Sequence, residues 1–225
     1  VSAPGKRDKN DIKVTDMLIS CAEAALAGQD CERLLADVVE RYAEIQRDLK
    51  LPAGITAEIE KDLRFRLAGD RSHRGGFMDS MKAAGEDNSA KLVAQAFQTS
   101  GSKAVYMSPR EAGMFLTDDF GNAQLLEESY RNLAEALRKS EGIVVFPGFF
   151  GYTKDGRVAT FPRGGSDITG SILAAAARAD VYENFTDVDS VYPVDPRLVP
   201  EVKEGITAMT YREMRELSYA GFGVF

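Results

Sequence analysis

The order of its apolar patterns restricts this chain most: helical stripes alone up to about residue 68, then short apolar runs alternating with helices. After Thr15, the residues Leu18, Ile19, Ala22 and Leu26 recur at helical spacing and stop at Gly28. Leu34, Val38, Tyr42, Ile45 and Leu49 carry a second stripe, which breaks at Pro52-Ala-Gly. A third runs from Thr56 through Ile59, Leu63 and Leu67. Gly69 to Gly76 reads as a basic turn, and Gly85-Glu-Asp-Asn as the opening of a helix through Leu92, Val93, Ala96 and Phe97. Beyond it the patterns predict strands at 104–107 and 142–146, a helix at 125–137 and a hairpin at 149–161 turning at Lys154-Asp-Gly-Arg. An Ala-rich helix at 171–178, a strand at 181–186 and a helix opened by the capping box Thr210-Tyr-Arg-Glu213 follow. Strands alternating with helices predict an α/β fold, a three-layer αβα sandwich with a mainly parallel sheet. The stretch 15–68 is then a helical subdomain inserted between strands.

Composition narrows the function. A net charge of −7 argues against a nucleic-acid partner, which favours basic faces. The two cysteines, Cys21 and Cys31, make no disulfide framework and lack metal-ligand neighbours, so they read as reduced thiols of a cytoplasmic protein. No apolar run approaches the roughly 20 residues of a membrane span, and no signal peptide is visible. Both ends read as cut: Val1-Ser-Ala-Pro resembles a strand running into a loop, and Phe222-Gly-Val-Phe225 stops inside an apolar run. The expectation is a piece of a longer chain.

The segment with most chemistry is Phe161-Pro-Arg-Gly-Gly-Ser-Asp-Ile-Thr-Gly170, a Gly-rich loop feeding a helix. Such a loop offers backbone N–H groups and the positive end of a helix dipole to an anion. Arg163 adds a planar fork suited to a carboxylate or phosphate. Asp167 would repel an anion, so it suits a substrate ammonium, a magnesium ion or a lysine better. In α/β sheets ligands sit beyond the carboxyl ends of strands. Phe146-Pro-Gly-Phe, Thr186-Asp-Val-Asp, Val1-Ser-Ala-Pro and Gly85-Glu-Asp-Asn-Ser are all placed to converge there with the Gly-rich loop.

Several segments in register carry a resemblance: Val1-Ser-Ala with Val14-Thr-Asp, Gly85-Glu-Asp-Asn-Ser-Ala, Pro147-Gly-Phe-Phe-Gly, Arg163-Gly-Gly-Ser-Asp, and Thr186-Asp-Val-Asp-Ser-Val-Tyr followed by Asp195-Pro-Arg. Together they resemble the catalytic domain of the aspartate kinases, in the amino acid kinase family. The resemblance implies transfer of the ATP γ-phosphoryl group to the side-chain carboxylate of L-aspartate, with Mg2+, in a homo-oligomer. It implies that Thr15 contacts the aspartate and Glu86 accepts a hydrogen bond from its ammonium. Arg163 would clamp a carboxylate, and Asp167 would fix the amino group and a catalytic lysine. Gly148 and Phe149 would wall the cleft, with Gly164 and Ser166 beside the substrate. Thr186, Asp187, Tyr192 and Arg197 would lie at the nucleotide. Carboxylate attack on phosphorus needs positioning and charge neutralisation, not a general base, so His73 need not act.

Two departures stand against the pattern. The Lys-Phe-Gly-Gly-Thr-Ser segment that supplies the phosphoryl-binding lysine is absent, so the chain alone is expected to be inactive. Near the end Ala220-Gly-Phe-Gly-Val-Phe has no lysine where many members carry Gly-Ala-Lys. The effector-binding domains usual after the kinase domain are likewise missing. Plainer roles are available too: Glu86 could simply favour a helix start, and Thr15 could be an N-cap. The rival functions are a kinase of this family with another acceptor, or an inactive ligand-binding subunit. A nicotinamide oxidoreductase is poor, because no strand leads into GxGxxG.

Overall fold

A computed structural model describes residues 1–162, 164–185, 190–194, 199, 201 and 204–219. The chain divides into two compact units, Val1–Val181 and Tyr182–Phe225.

The first unit begins with three helices, α1 (Val14–Leu26), α2 (Glu32–Asp48) and α3 (Gly54–Leu67). The stripes of α1 and α3 are those the sequence predicts, with Leu18 and Ala22, Ile59 and Leu63 in one core. In α2 Val38 and Tyr42 join it as expected, but Leu35 is buried more fully than the expected Leu34, and Leu49 is exposed. The first N–H of α1 has no intrahelical partner and is taken by the Pro4 carbonyl at 3.2 Å, which ties the opening segment to the helix. Thr15 is the second residue of α1 rather than its cap, because the helix already starts at Val14.

The fourth helix differs most from expectation. It does not open at Gly85 but runs from Arg74 to Thr99, with His73 as its N-cap, and is α4. His73 Nδ1 accepts the Gly76 N–H at 2.9 Å, and its ring lies 4.5 Å from that of Phe120. The basic turn expected to reach Gly76 is therefore partly the first turn of α4. Every residue from Ala83 through Ala90 is buried. Phe77, Met81, Ala84 and Leu92 join the core of α1–α3, while Ala90 and Ala94 pack on Val145 and Tyr106.

The α/β character follows from what packs on α4. Strand β1 (Ala104–Tyr106) pairs in parallel with β2 (Ile143–Val145), with α5 (Glu128–Lys139) in the connection. β3 (Phe150–Tyr152) and β4 (Val158–Thr160) form the expected antiparallel hairpin, with Phe150 opposite Thr160. α6 spans Gly165–Ala177, six residues earlier in its start than the Ala-rich run suggests. A second core joins these elements through Met114, Leu116, Leu133, Phe146 and Phe161. No regular strand lies at 181–185; Val181 is 72% and Phe185 92% exposed, and apolar composition makes no strand without a neighbour to pair with.

The second unit contains α7 (Tyr211–Tyr219). Its capping box forms as expected: Glu213 accepts from the Thr210 N–H at 2.7 Å, and Thr210 Oγ1 accepts from the Glu213 N–H at 3.3 Å. Among the described residues no helix is long and apolar enough to cross a membrane, and both cysteines are free thiols.

Candidate functional site

Backbone pairing gathers the site. Successive carbonyls of an extended chain point to opposite sides. The Val145 carbonyl accepts from Met107 at 3.0 Å, while that of Phe146 accepts from the Val1 nitrogen at 2.9 Å. The Gly148 N–H returns a bond to the Val1 carbonyl at 2.9 Å. The continuation of β2 thus runs between β1 and the opening segment, and delivers Val1–Ala3 and Gly148-Phe149 to one end of the sheet.

Glu86 meets them from α4. The Ala3 side chain rests against Gly85, where a Cβ would lie 2.8 Å from it, and Thr15 Oγ1 stands 3.8 Å from the same point. Tyr42 Oη donates to the Gly85 carbonyl at 2.7 Å. The Glu86 carboxyl is 6% exposed and its Oε2 has no partner. Burial pushes its pKa up to about 7, against hydrogen bonds from the Ala3 N–H and its own N–H. A nine-tenths-buried carboxyl with one oxygen unused can accept a cation or hydrogen-bond donor there. Because Glu86 sits mid-helix, favourable placement at a helix start does not account for it.

The Gly-rich loop closes the other side. Gly164, at φ +84°, is the N-cap of α6, so Ser166 and Asp167 form its first turn rather than a loop before it. Gly148 packs against Ser166 so closely that a Cβ would lie 2.8 Å from three of its atoms. Gly165 is equally confined, with Phe149 Cδ2 2.7 Å and Phe161 Cβ 2.8 Å from a Cβ built there. Phe149 takes φ +74°, a conformation that costs a non-glycine residue about 1 kcal/mol or more. Thr169 holds it there: its hydroxyl accepts from the Phe149 N–H at 3.0 Å and donates to the Gly165 carbonyl at 2.8 Å.

Val1, Ala3, Thr15, Glu86, Gly148, Phe149, Gly164, Ser166 and Asp167 are therefore linked, directly or through one neighbour, around the end of the sheet. Arg163, Thr186, Asp187 and Arg197 lie outside the described residues, as does 220–225. Tyr192 lies in the second unit. A shallow groove in that unit, along α7 and lined by Ile206, Met209, Arg212 and Leu217, contains none of the expected site residues. Sequence reasoning passed over Thr169, whose position four residues after Gly165 was available to read, and the Ala3 N–H, which has no side-chain signature.

The fold and this site define a class. Residues 16–225 match the Amino acid kinase family, and the chain belongs to it. Among its relatives, Aspartokinase 3 of Bacillus subtilis (strain 168) is 56% identical over all 225 residues, which make up 49% of that protein. The crystal structure of Clostridium acetobutylicum aspartate kinase superposes with a TM-score of 0.77 at 31% identity, covering 97% of this chain and 47% of that one. E. coli aspartokinase III in complex with aspartate and ADP (R-state) gives 0.73 at 27% identity, covering 92% and 47%. The chain thus spans about half the length of these relatives.

Proposed function

We propose that the protein carrying this chain is an aspartate kinase, transferring the ATP γ-phosphoryl group to the side-chain carboxylate of L-aspartate to give 4-phospho-L-aspartate. The observation that carries the reading is Glu86: a buried carboxyl with a free oxygen, met by the opening segment that pairs with Gly148, which in turn packs on the first turn of α6. Relatives named for this activity over the whole chain support it.

In this reading Glu86 accepts from the α-ammonium of aspartate, with Thr15 alongside. Arg163 grips a carboxylate and Asp167 orients the amino group. Gly164, Ser166, Gly148 and the strained Phe149 shape the pocket that excludes water. The substrate carboxylate oxygen forms the new bond to γ-phosphorus as the bond to the β–γ bridging oxygen breaks, and ADP leaves with those electrons. Thr186, Asp187, Tyr192 and Arg197 are assigned to the nucleotide. Mg2+ would enter as an ion carried on the ATP phosphates. It would neutralise phosphate charge there. The reading also carries a cytoplasmic homo-oligomer acting in the first step toward lysine, threonine and methionine.

Trapping the acyl phosphate with hydroxylamine tests this in the complete protein. Hydroxamate should form from L-aspartate with Mg·ATP, and not from glutamate, acetylglutamate or carbamate. Preference for another acceptor would move the protein elsewhere in the family.

A further inference from the structure

Glu86 has no side-chain partner; backbone N–H groups of Ala3 and of Glu86 itself meet its carboxyl, and where that carboxyl stands relative to them depends on how α4 is rolled and seated. The turn around it is poorly built for that task by packing alone. Ala83, Ala84, Gly85, Ser89 and Ala90 are small and offer few ridges to lock a helix against rotation or sliding. What holds the turn is polar. Arg66 of α3 bridges to it: Nε is braced by Asp62 of its own helix at 2.9 Å, while Nη1 reaches the Ser80 carbonyl at 2.9 Å and Nη2 Asp87 Oδ2 at 2.5 Å, both on α4. Ser80 and Asp87 lie two turns apart on α4, so one planar group fixes both the translation and the roll of the helix. Lys91 adds a bond to Asp87 Oδ2 at 3.0 Å, and Tyr106 of β1 donates to Oδ1 from the opposite side. Burial first, and then the Asp87 carboxylate, push the Tyr106 phenol well up, so it stays a donor. Asn88 donates to Asp62 at 2.8 Å, closing the network.

The side chains of Arg66 and Asp87 are 9% and 6% exposed. A buried pair of this kind adds little stability over apolar residues of the same size, and its best-attested use is to fix register. We propose that Asp87, clamped by Arg66 and Tyr106, is the positioning residue for Glu86, holding its free oxygen toward the substrate ammonium. This rests on the reading of Glu86 given above. Asp87 touches no substrate in it; it acts through the seating of α4.

The test is steady-state kinetics of the complete protein with aspartate and ATP varied separately. KM does not depend on the fraction of molecules folded, so it separates positioning from loss of structure. In Asp87→Asn the KM for L-aspartate should rise about tenfold, with kcat and the KM for ATP within about twofold, as expected for a misplaced binding group. Tyr106→Phe removes a single oxygen from the network and should move the same constant about threefold, which keeps the proposal testable if Asp87→Asn folds poorly. Combined with Glu86→Gln, the Asp87 change should add nothing further, because the group it positions is gone. Additive losses in the double variant, or an unchanged KM for aspartate in Asp87→Asn or Tyr106→Phe, would overturn the proposal alone. A Glu86→Gln protein with wild-type KM for aspartate would overturn the reading of Glu86 and the proposal with it.

Discussion

Glu86 and Gly148 show at the scale of single residues how this site is made against the interest of stability. Glu86 has a carboxyl whose pKa is lifted from 4.5 to about 7 by burial. The folded state therefore holds a proton more tightly than the unfolded chain, and binds more protons between about pH 4.5 and 7. Stability from this group is fully present below about 4.5 and is lost as pH rises through about 7, by roughly 3 kcal/mol between the limits. Glu86→Gln removes that slope, so thermal denaturation followed from pH 4.5 to 8 should give a flatter Tm profile than wild type; an unchanged slope would mean that another group titrates there. In the proposed role of Glu86 the sign is opposite, because only the anion attracts an ammonium. The KM for L-aspartate should rise as pH falls below about 7, and that dependence should vanish in Glu86→Gln. Gly148 is fixed by contact rather than charge. A Cβ there meets Ser166 at 2.8 Å, including its Cα, so Gly148→Ala must push the first turn of α6 away from the end of β2. Overpacking of this kind costs about 1–3 kcal/mol, visible in urea unfolding, and the aspartate KM should rise with it.

Helix α4 decides the element scale, and it is the element that the sequence conceals. The stripes of α1, α2 and α3 are legible because each helix has a wet face and a dry one. From Ala83 to Ala90 the fourth helix has no wet face, so no helical period can be read there. Its glycines mislead as well. Gly75 and Gly76 look like a turn, yet a Cβ at these positions would lie 3.0 and 3.4 Å from Phe120 atoms, and Gly85 yields to Ala3 in the same way. The same misreading delays α6, where Gly165 is helical and small because Phe149 and Phe161 press on it. The site motifs could be read because they are local in sequence; their supports Arg66 and Tyr42 could not, since each acts on a residue far along the chain. Asp79 belongs with them. Seven residues before Glu86, it is 1% exposed and accepts from the Gly121 N–H at 2.7 Å and the Thr160 N–H at 2.8 Å, coupling α4 to β4. Asp79→Ala leaves the buried Thr160 N–H and the half-buried Gly121 N–H without an acceptor and should cost about 2–4 kcal/mol in denaturant unfolding. A loss below about 1 kcal/mol would mean that water replaces the carboxylate there.

On the scale of the first unit, one helix is shared by two of the three apolar clusters and is tied by hydrogen bonds to the strands. The α1–α3 cluster takes Phe77, Met81, Ala84 and Leu92 from α4, and the cluster on Val145 takes Ala90 and Ala94. Asp79 and Asp87 bind β4 and β1 from the same helix. The helical layer and the sheet layer therefore cannot separate without tearing α4 from one of them, which would expose its buried apolar and ionic residues together. This predicts that residues 1–181 unfold as one cooperative body, even though two large clusters could be drawn as two folding units. Leu63 and Leu133 are each fully buried, the first in the helical cluster and the second in the sheet cluster. Leu63→Ala and Leu133→Ala should each cost about 3 kcal/mol. If the body is cooperative, each change lowers amide protection in both clusters by the same free energy, because the slowest amides everywhere exchange through the one global opening. If Leu63→Ala instead weakened protection only in α1–α3 and left α5 and α6 as in wild type, the layers would be separate foldons. Glu86, carried on α4 and met by the Ala3 N–H of the segment that pairs with the continuation of β2, would then lose its fixed direction whenever the layers part.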